Sequence, residues 1–205
     1  MVTKRGFIAG AASAAAAVAT VAWRPQTRGR DAGTTTAPLD AVVFNERYSD
    51  ARAFAQVFAK QGILTLPVAG DAGTLWYGSL KRRIVPGTTR IAAMGTPMDL
   101  FILETLARDA GLRVRLRLFH DARGAATLSH SVSANEPVPE LAGALAPAGA
   151  RWPESLARAL PGLACAARGQ PRGAALSGLD SVKIGGAGAE RSHDHPGMLI
   201  SWILA

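Results

Sequence analysis

Four histidines, His120, His130, His193 and His195, all fall in the second half of a 205-residue chain, and they are its most chemically versatile side chains. Near neutral pH an imidazole can be a general base, a general acid or a ligand for a borderline metal ion. His193-Asp194-His195 sets two imidazoles and a carboxylate side by side, and His120-Asp121 adds another such pair. Gathered at one point, His120, His193 and His195 would form a metal centre. His120 with Asp121 would form the pair of a metal-assisted or acid–base hydrolase. The spacing matches no specific metal motif, and no Gly-x-Ser-x-Gly elbow is present. Ser129 and Ser131 flank His130, but neighbours on a strand point to opposite faces, so they do not form a catalytic pair with it. Cys165, the single cysteine, lies in an apolar run with no histidine nearby and reads as a packed, inert thiol.

A second group of candidates lies where strands would hand over to helices. Asp71, Thr74, Gly95 and Thr96 occupy such points. A helix start exposes backbone N–H groups and favours negative charge, so these residues are the expected binding positions for a small anionic ligand.

Positioning them requires a fold, and the stretch Ile91 to His120 declares one. Ile91 to Met94 is a short apolar run closed by Gly95. Thr96, Pro97 and Asp99 make a helix start with a capping box. Leu100 to Ala110 is apolar on a wide face, leaving Glu104, Arg108 and Asp109 for water, and Gly111 ends the helix. Val114, Leu116 and Leu118 then alternate with Arg113, Arg115 and Arg117, the period of a strand with one wet face.

The same grammar runs upstream. Ala41 to Phe44 is a strand. Ser49 can cap a helix that buries Ala51, Phe54, Ala55 and Phe58, and Gly62 ends it. Ile63 to Ala69 is the second strand. Asp71 or Thr74 caps a second helix, Leu75 to Ile84, with Trp76 and Leu80 inward. The fold class expected is therefore α/β: an open three-layer sheet with a parallel βαβαβαβ core. The first three strands read as continuous apolar runs, buried on both sides.

Residues 121 to 133 read as a turn at Arg123-Gly124 and a return strand, an antiparallel hairpin at the sheet edge. On that edge, Arg113, Arg115 and Arg117 would either blunt the strand against pairing or bind an anion. Residues 134–190 are rich in Ala, Gly and Pro and read as an irregular cover, broken by a short helix from Pro153 to Leu160 that Pro161-Gly162 stops. Gly185-Gly186-Ala187-Gly188 is not a dinucleotide fingerprint, since no long helix follows it. Met198 to Leu204 is almost wholly apolar and must be a strand paired inside the sheet. It is expected to run antiparallel, because the long segment before it lacks a regular crossover helix, and that course puts His120 and the His193-Asp194-His195 loop over one edge. A parallel course would separate them by about 17–20 Å.

The chain carries a net charge of +8, but its arginines are scattered and only 6% of residues are aromatic. Without a basic run that is a poor footprint for nucleic acid, and no nucleic-acid partner is expected. Residues 1–22 read as an export signal: Lys4 and Arg5 precede a mildly hydrophobic, Ala-rich run too short for a comfortable membrane span. Residues 23–38 read as a disordered linker and 39–205 as a single domain. The order Thr3-Lys4-Arg5-Gly6-Phe7-Ile8 resembles the bacterial twin-arginine (Tat) export signal, with Lys4 in the place of the first arginine. That resemblance implies passage through the Tat machinery already folded; the alternative is an ordinary secretory (Sec) signal, cleaved or kept as a membrane anchor. Either places the protein in the bacterial periplasm or outside the cell, with the membrane touched only through the signal. Function stays open between a non-catalytic ligand-binding or accessory domain with its site at the strand tips, the hydrolase, and a partner subunit of an exported complex. No cofactor is specified.

Overall fold

The computed structural model describes residues 39–122, 127–134, 139–166, 182–190 and 194–205. The signal and linker expected at 1–38 lie outside these residues. The elements in chain order are β1 (Ala41–Asn45), α1 (Ser49–Ala59), β2 (Leu64–Val68), α2 (Ala72–Leu75), β3 (Ile91–Gly95), α3 (Pro97–Asp109), β4 (Val114–Asp121), β5 (Thr127–Ala134), α4 (Pro139–Leu145), α5 (Trp152–Ala166), β6 (Val182–Glu190) and β7 (Met198–Leu204). A π turn, Trp76–Leu80, and a 3-10 turn, Lys81–Arg83, prolong α2.

One seven-stranded sheet results, in the order β2-β1-β3-β7-β4-β5-β6. The α/β class and the open sheet are as the sequence implies. So are the parallel pairings of β1 with β2 and with β3. The continuous parallel core is not. β7 inserts antiparallel between β3 and β4, so β4 runs in the direction of β3 without touching it as a neighbour. The β4–β5 hairpin pairs on its far side with β6, so it is interior rather than at the edge. β2 is the other edge. It is only half-buried along most of its length and carries Pro67, which cannot donate to a further strand.

Helices cover both faces. On one, α1, α4 and α5 pack Phe54, Phe58, Leu141, Trp152, Leu156 and Leu160 against Val42, Met94, Leu118 and Ile203. On the other, Trp76 and Leu80 with Leu100, Leu103 and Ala107 of α3 pack against Val43, Ile91, Ala93, Ile200 and Trp202. All described residues belong to one compact unit, Thr36–Ala205.

Several local expectations change. The segment expected as irregular contains α4, α5 and β6. α5 continues through Pro161 to Ala166 because its apolar stripe, Leu156, Ala157 and Leu160, is fully buried and outweighs the backbone hydrogen bond that a proline removes. Ser49 does not cap α1. Tyr48 stands at the N-cap without a side-chain bond, and Ser49 donates from both its backbone N–H and its hydroxyl to Asp194, each at 2.6 Å. The arginine ladder of β4 does not blunt an edge. Arg117 pairs with Glu104 of α3, and Arg113 donates to the carbonyls of Arg108 and Leu112.

Candidate functional site: a buried histidine cluster

β4 presents residues alternately to its two faces, and the face holding Leu116 and Leu118 also holds His120, which is completely buried. β5 lies beside it in a register that sets His130 directly opposite His120. The turn therefore spans more residues than the two at Arg123-Gly124, whose register would have opposed His130 to Arg117. On the other side, β7 sets Leu199 opposite His120 and Ser201 opposite Leu118, so Ser201 is a diagonal neighbour on the same face.

Three side chains join into a chain of hydrogen bonds. His120 Nε2 lies 2.9 Å from Ser201 Oγ, and His120 Nδ1 lies 2.7 Å from His130 Nδ1. One Nδ1 carries the proton and the other accepts it, which leaves two arrangements. If His120 donates, Ser201 donates its hydroxyl proton to His120 Nε2, and His130 carries its proton on Nε2. If His130 donates, His120 Nε2–H donates to Ser201, and His130 Nε2 is a bare acceptor. In either case His130 Nε2 is buried and meets no hydrogen-bond partner among the described residues.

Trp152, the first residue of α5, roofs the cluster. Its ring lies 4.3 Å from the centroid of His120 and 5.1 Å from that of His130. It too is fully buried, and its Nε1 has no hydrogen-bond partner among the described residues. His195, buried, comes in from the loop ahead of β7, close enough for its charge to act on both other rings. Asp194 holds that loop down through its two bonds from Ser49 and an ion pair with Arg52.

Burial keeps His120 and His130 neutral. Desolvation holds His120 well below the usual imidazole value, with the neighbouring His130 and His195 adding to the effect. Burial, and then His195, pushes His130 down to about 4.

The sequence-derived candidates divide accordingly. His120 and His195 come together, and His193 lies outside the described residues. Asp121 is next to His120 on a strand and so faces the opposite way; the pair does not form an acid–base couple. Among the described residues no group of three or more His, Cys, Asp or Glu side chains is placed to hold a metal ion. The strand-tip residues are occupied by the chain itself. Asp71 accepts from the Thr74 N–H and hydroxyl, and these contacts lower its carboxyl pKa. Thr96 and Asp99 form a reciprocal capping box, and Asn45 also donates to Asp99 at 2.8 Å. Asp99 is buried there, so its own carboxylate fills the α3 start expected to take an anion. Gly95 is required by the same carboxylate: a Cβ would sit 2.7 Å from Asp99 Oδ2.

The residues the sequence reading passed over are Ser201 and Trp152, with His130 undervalued. A serine inside the apolar run Met198–Leu204 was the available signal, since a hydroxyl in a strand buried on both faces needs a partner. Compared with known proteins, the chain matches no protein-family model, no curated protein and no solved structure.

Proposed function

We propose that the chain is an exported, non-catalytic binding domain whose ligand site is the cluster of His120, His130, His195, Ser201 and Trp152 at the carboxyl end of β4. The observation carrying this reading is the pair of buried ring nitrogens, His130 Nε2 and Trp152 Nε1, that no described residue satisfies. Buried polar atoms are paired in the great majority of cases, and one left unpaired costs about 1–3 kcal/mol. Two in one cluster suit a small molecule bearing hydrogen-bond acceptors, such as a carboxylate. The indole N–H can only donate, and His130 Nε2–H donates in one of the two tautomers. Export by the Tat or Sec machinery, to the periplasm or beyond, belongs to this proposal and rests on residues 1–22.

A second reading has its own observation. Ser201 Oγ, His120 Nε2 and His130 Nδ1 are spaced as a nucleophile, its base and the group that orients the base. Here Ser201, not Asp121, would work with His120. The complete burial of Ser201 favours the binding reading.

One experiment separates them. Native mass spectrometry of protein purified from the periplasm should show a small bound mass that is lost in Trp152→Phe, which keeps the ring but removes the N–H. In parallel, the protein is treated with a fluorophosphonate. Labelling at Ser201 that disappears in His120→Gln would replace the binding reading with the hydrolase. No bound mass and no labelling would remove both.

A further inference from the structure

A ligand reaches a fully buried cluster only if part of its wall moves. His120, His130, Ser201 and Trp152 are all fully buried. The elements that supply the cluster differ in how firmly they are held. β4, β5 and β7 each pair with a strand on both edges. α5 is pinned by Leu156, Ala157 and Leu160, none of which is exposed. The stretch Asp194-His195-Pro196-Gly197 ahead of β7 belongs to neither helix nor sheet. Its His195 is buried and acts on both other imidazoles, whereas Pro196 beside it is exposed.

The two ends of this stretch are fastened differently. At the β7 end, the Ala122 N–H donates to the Gly197 carbonyl at 2.8 Å. Gly197 has a φ of 83°, in the left-handed region that glycine enters and leaves without steric cost. An anchored carbonyl beside a backbone torsion that is free to turn makes a hinge. At the other end, the Asp194 carboxylate accepts from the backbone N–H and the hydroxyl of Ser49, each at 2.6 Å, and faces Arg52 at 3.4 Å. Ser49 is the first residue of α1, so the carboxylate also meets the positive end of that helix. The Arg52 and Asp194 side chains are 45% and 34% exposed. Water can replace each of these partners, so releasing them costs far less than unpacking α5 or unpairing a strand.

We propose that residues 194–197 are a strap that gates the histidine cluster, latched to α1 through Asp194 and hinged at Gly197, with His195 as its plug. Lifting the strap withdraws His195 and opens His120, His130 and Ser201 to solvent. This rests on the cluster being the ligand site, and it supplies the entry route that such a site needs.

The test is the rate at which diethyl pyrocarbonate, which acylates neutral imidazole, modifies His120 and His130, read by peptide mass spectrometry. Asp194→Ala removes the whole latch and should speed both modifications about tenfold. Ser49→Ala keeps the backbone N–H and should speed them less, roughly threefold. Gly95→Ala loosens the other half of the sheet and should leave both rates at the wild-type value. The acceleration should persist unchanged in low urea, because lifting a strap exposes little surface. Equal rates in Asp194→Ala and wild type would overturn the proposal. So would an equal acceleration in Gly95→Ala, or a rate that climbs steeply with urea, since either would mean global unfolding. The readout needs no ligand. A bound mass in the wild type with no effect of Asp194→Ala on modification would overturn the strap and leave the binding reading standing. Faster modification with no bound mass would keep the strap and remove the binding reading.

Discussion

The two halves of the sheet handle their polar residues in opposite ways. In the β2-β1-β3 half, the polar groups at the strand tips close on one another: Asp71 with Thr74, Asp99 with Thr96 and Asn45. Each finishes a helix start, and the core beneath, from Val42 and Val43 to Ala92, Ala93 and Met94, is dry. In the β7-β4-β5 half, the polar groups are inside the core. His120, His130 and Ser201 are all fully buried, and hydrogen-bonding capacity is left over. A strand-tip location therefore does not by itself make a site. What distinguishes the second half is cross-strand pairing, which collects side chains from β4, β5 and β7 onto one face.

The widest contrast should come from removing a tryptophan from each half. Trp76→Ala and Trp152→Ala each empty a fully buried site and should each cost about 3–5 kcal/mol in urea unfolding. Only Trp152→Ala should also let water reach the imidazoles. Their pKa values should then rise toward the ordinary 6.5 in an NMR titration, while Trp76→Ala leaves them low. Equal titration curves in the two variants would erase the distinction between the halves.

The pH dependence comes next in size. His130 is pushed down to about 4 from an ordinary 6.5, so between those values the unfolded chain holds a proton that the folded one does not. Its contribution to stability is fully present above about pH 6.5 and is lost as pH falls toward 4, ~3 kcal/mol over the interval. The melting temperature should fall with pH in that window. His130→Phe should flatten the slope, whatever it does to stability at pH 7. A slope that the substitution leaves intact would show that His130 does not contribute to the acid limit.

The smallest effect belongs to the dry half. Gly95→Ala forces the Asp99 carboxylate off Thr96 and Asn45 and should cost roughly 1–2 kcal/mol, the worth of a helix cap. That loss should be the same at pH 5.5 and pH 7.5. A pH-dependent loss would couple this helix start to the other half.

What could be read from the sequence follows the same division. The capping box at Thr96 and Asp99, the inward Trp76 and Leu80, and the parallel β1, β2 and β3 depend on contacts no farther apart than that of Ala41 with Ile91. Local period and turn chemistry report them well. The insertion of β7 between β3 and β4 depends on pairings as distant as Ile91 with Leu204 and Asp121 with Met198, which no local pattern encodes. Ile91 to Met94 and Val114 to Leu118 look adjacent in every local respect, yet another strand separates them. β6, with the sequence Val-Lys-Ile-Gly-Gly-Ala-Gly-Ala-Glu, was hidden by glycines that have little strand propensity. The opposition of His130 to His120 turned on the length of one loop. Pro67 was a readable sign that β2 is an edge, and the apolar run around it masked that sign.

The place of β7 sets the order in which this protein can come into being. β7 is the central strand of the sheet, so the halves on either side share no completed backbone pairing until residues 198–204 have been made. Assembly of the sheet must wait for residues 198–204 and then close long loops, such as Ile91 to Leu204 in the β3–β7 pair, and the contact of Asp194 with Ser49 spans 145 positions. Until then β3 and β4 each expose an unpaired edge flanked by apolar side chains, the kind of intermediate that aggregates. A nascent chain of this protein is therefore a natural client for chaperones, and loss of residues from β7 should be felt as misassembly of the whole sheet.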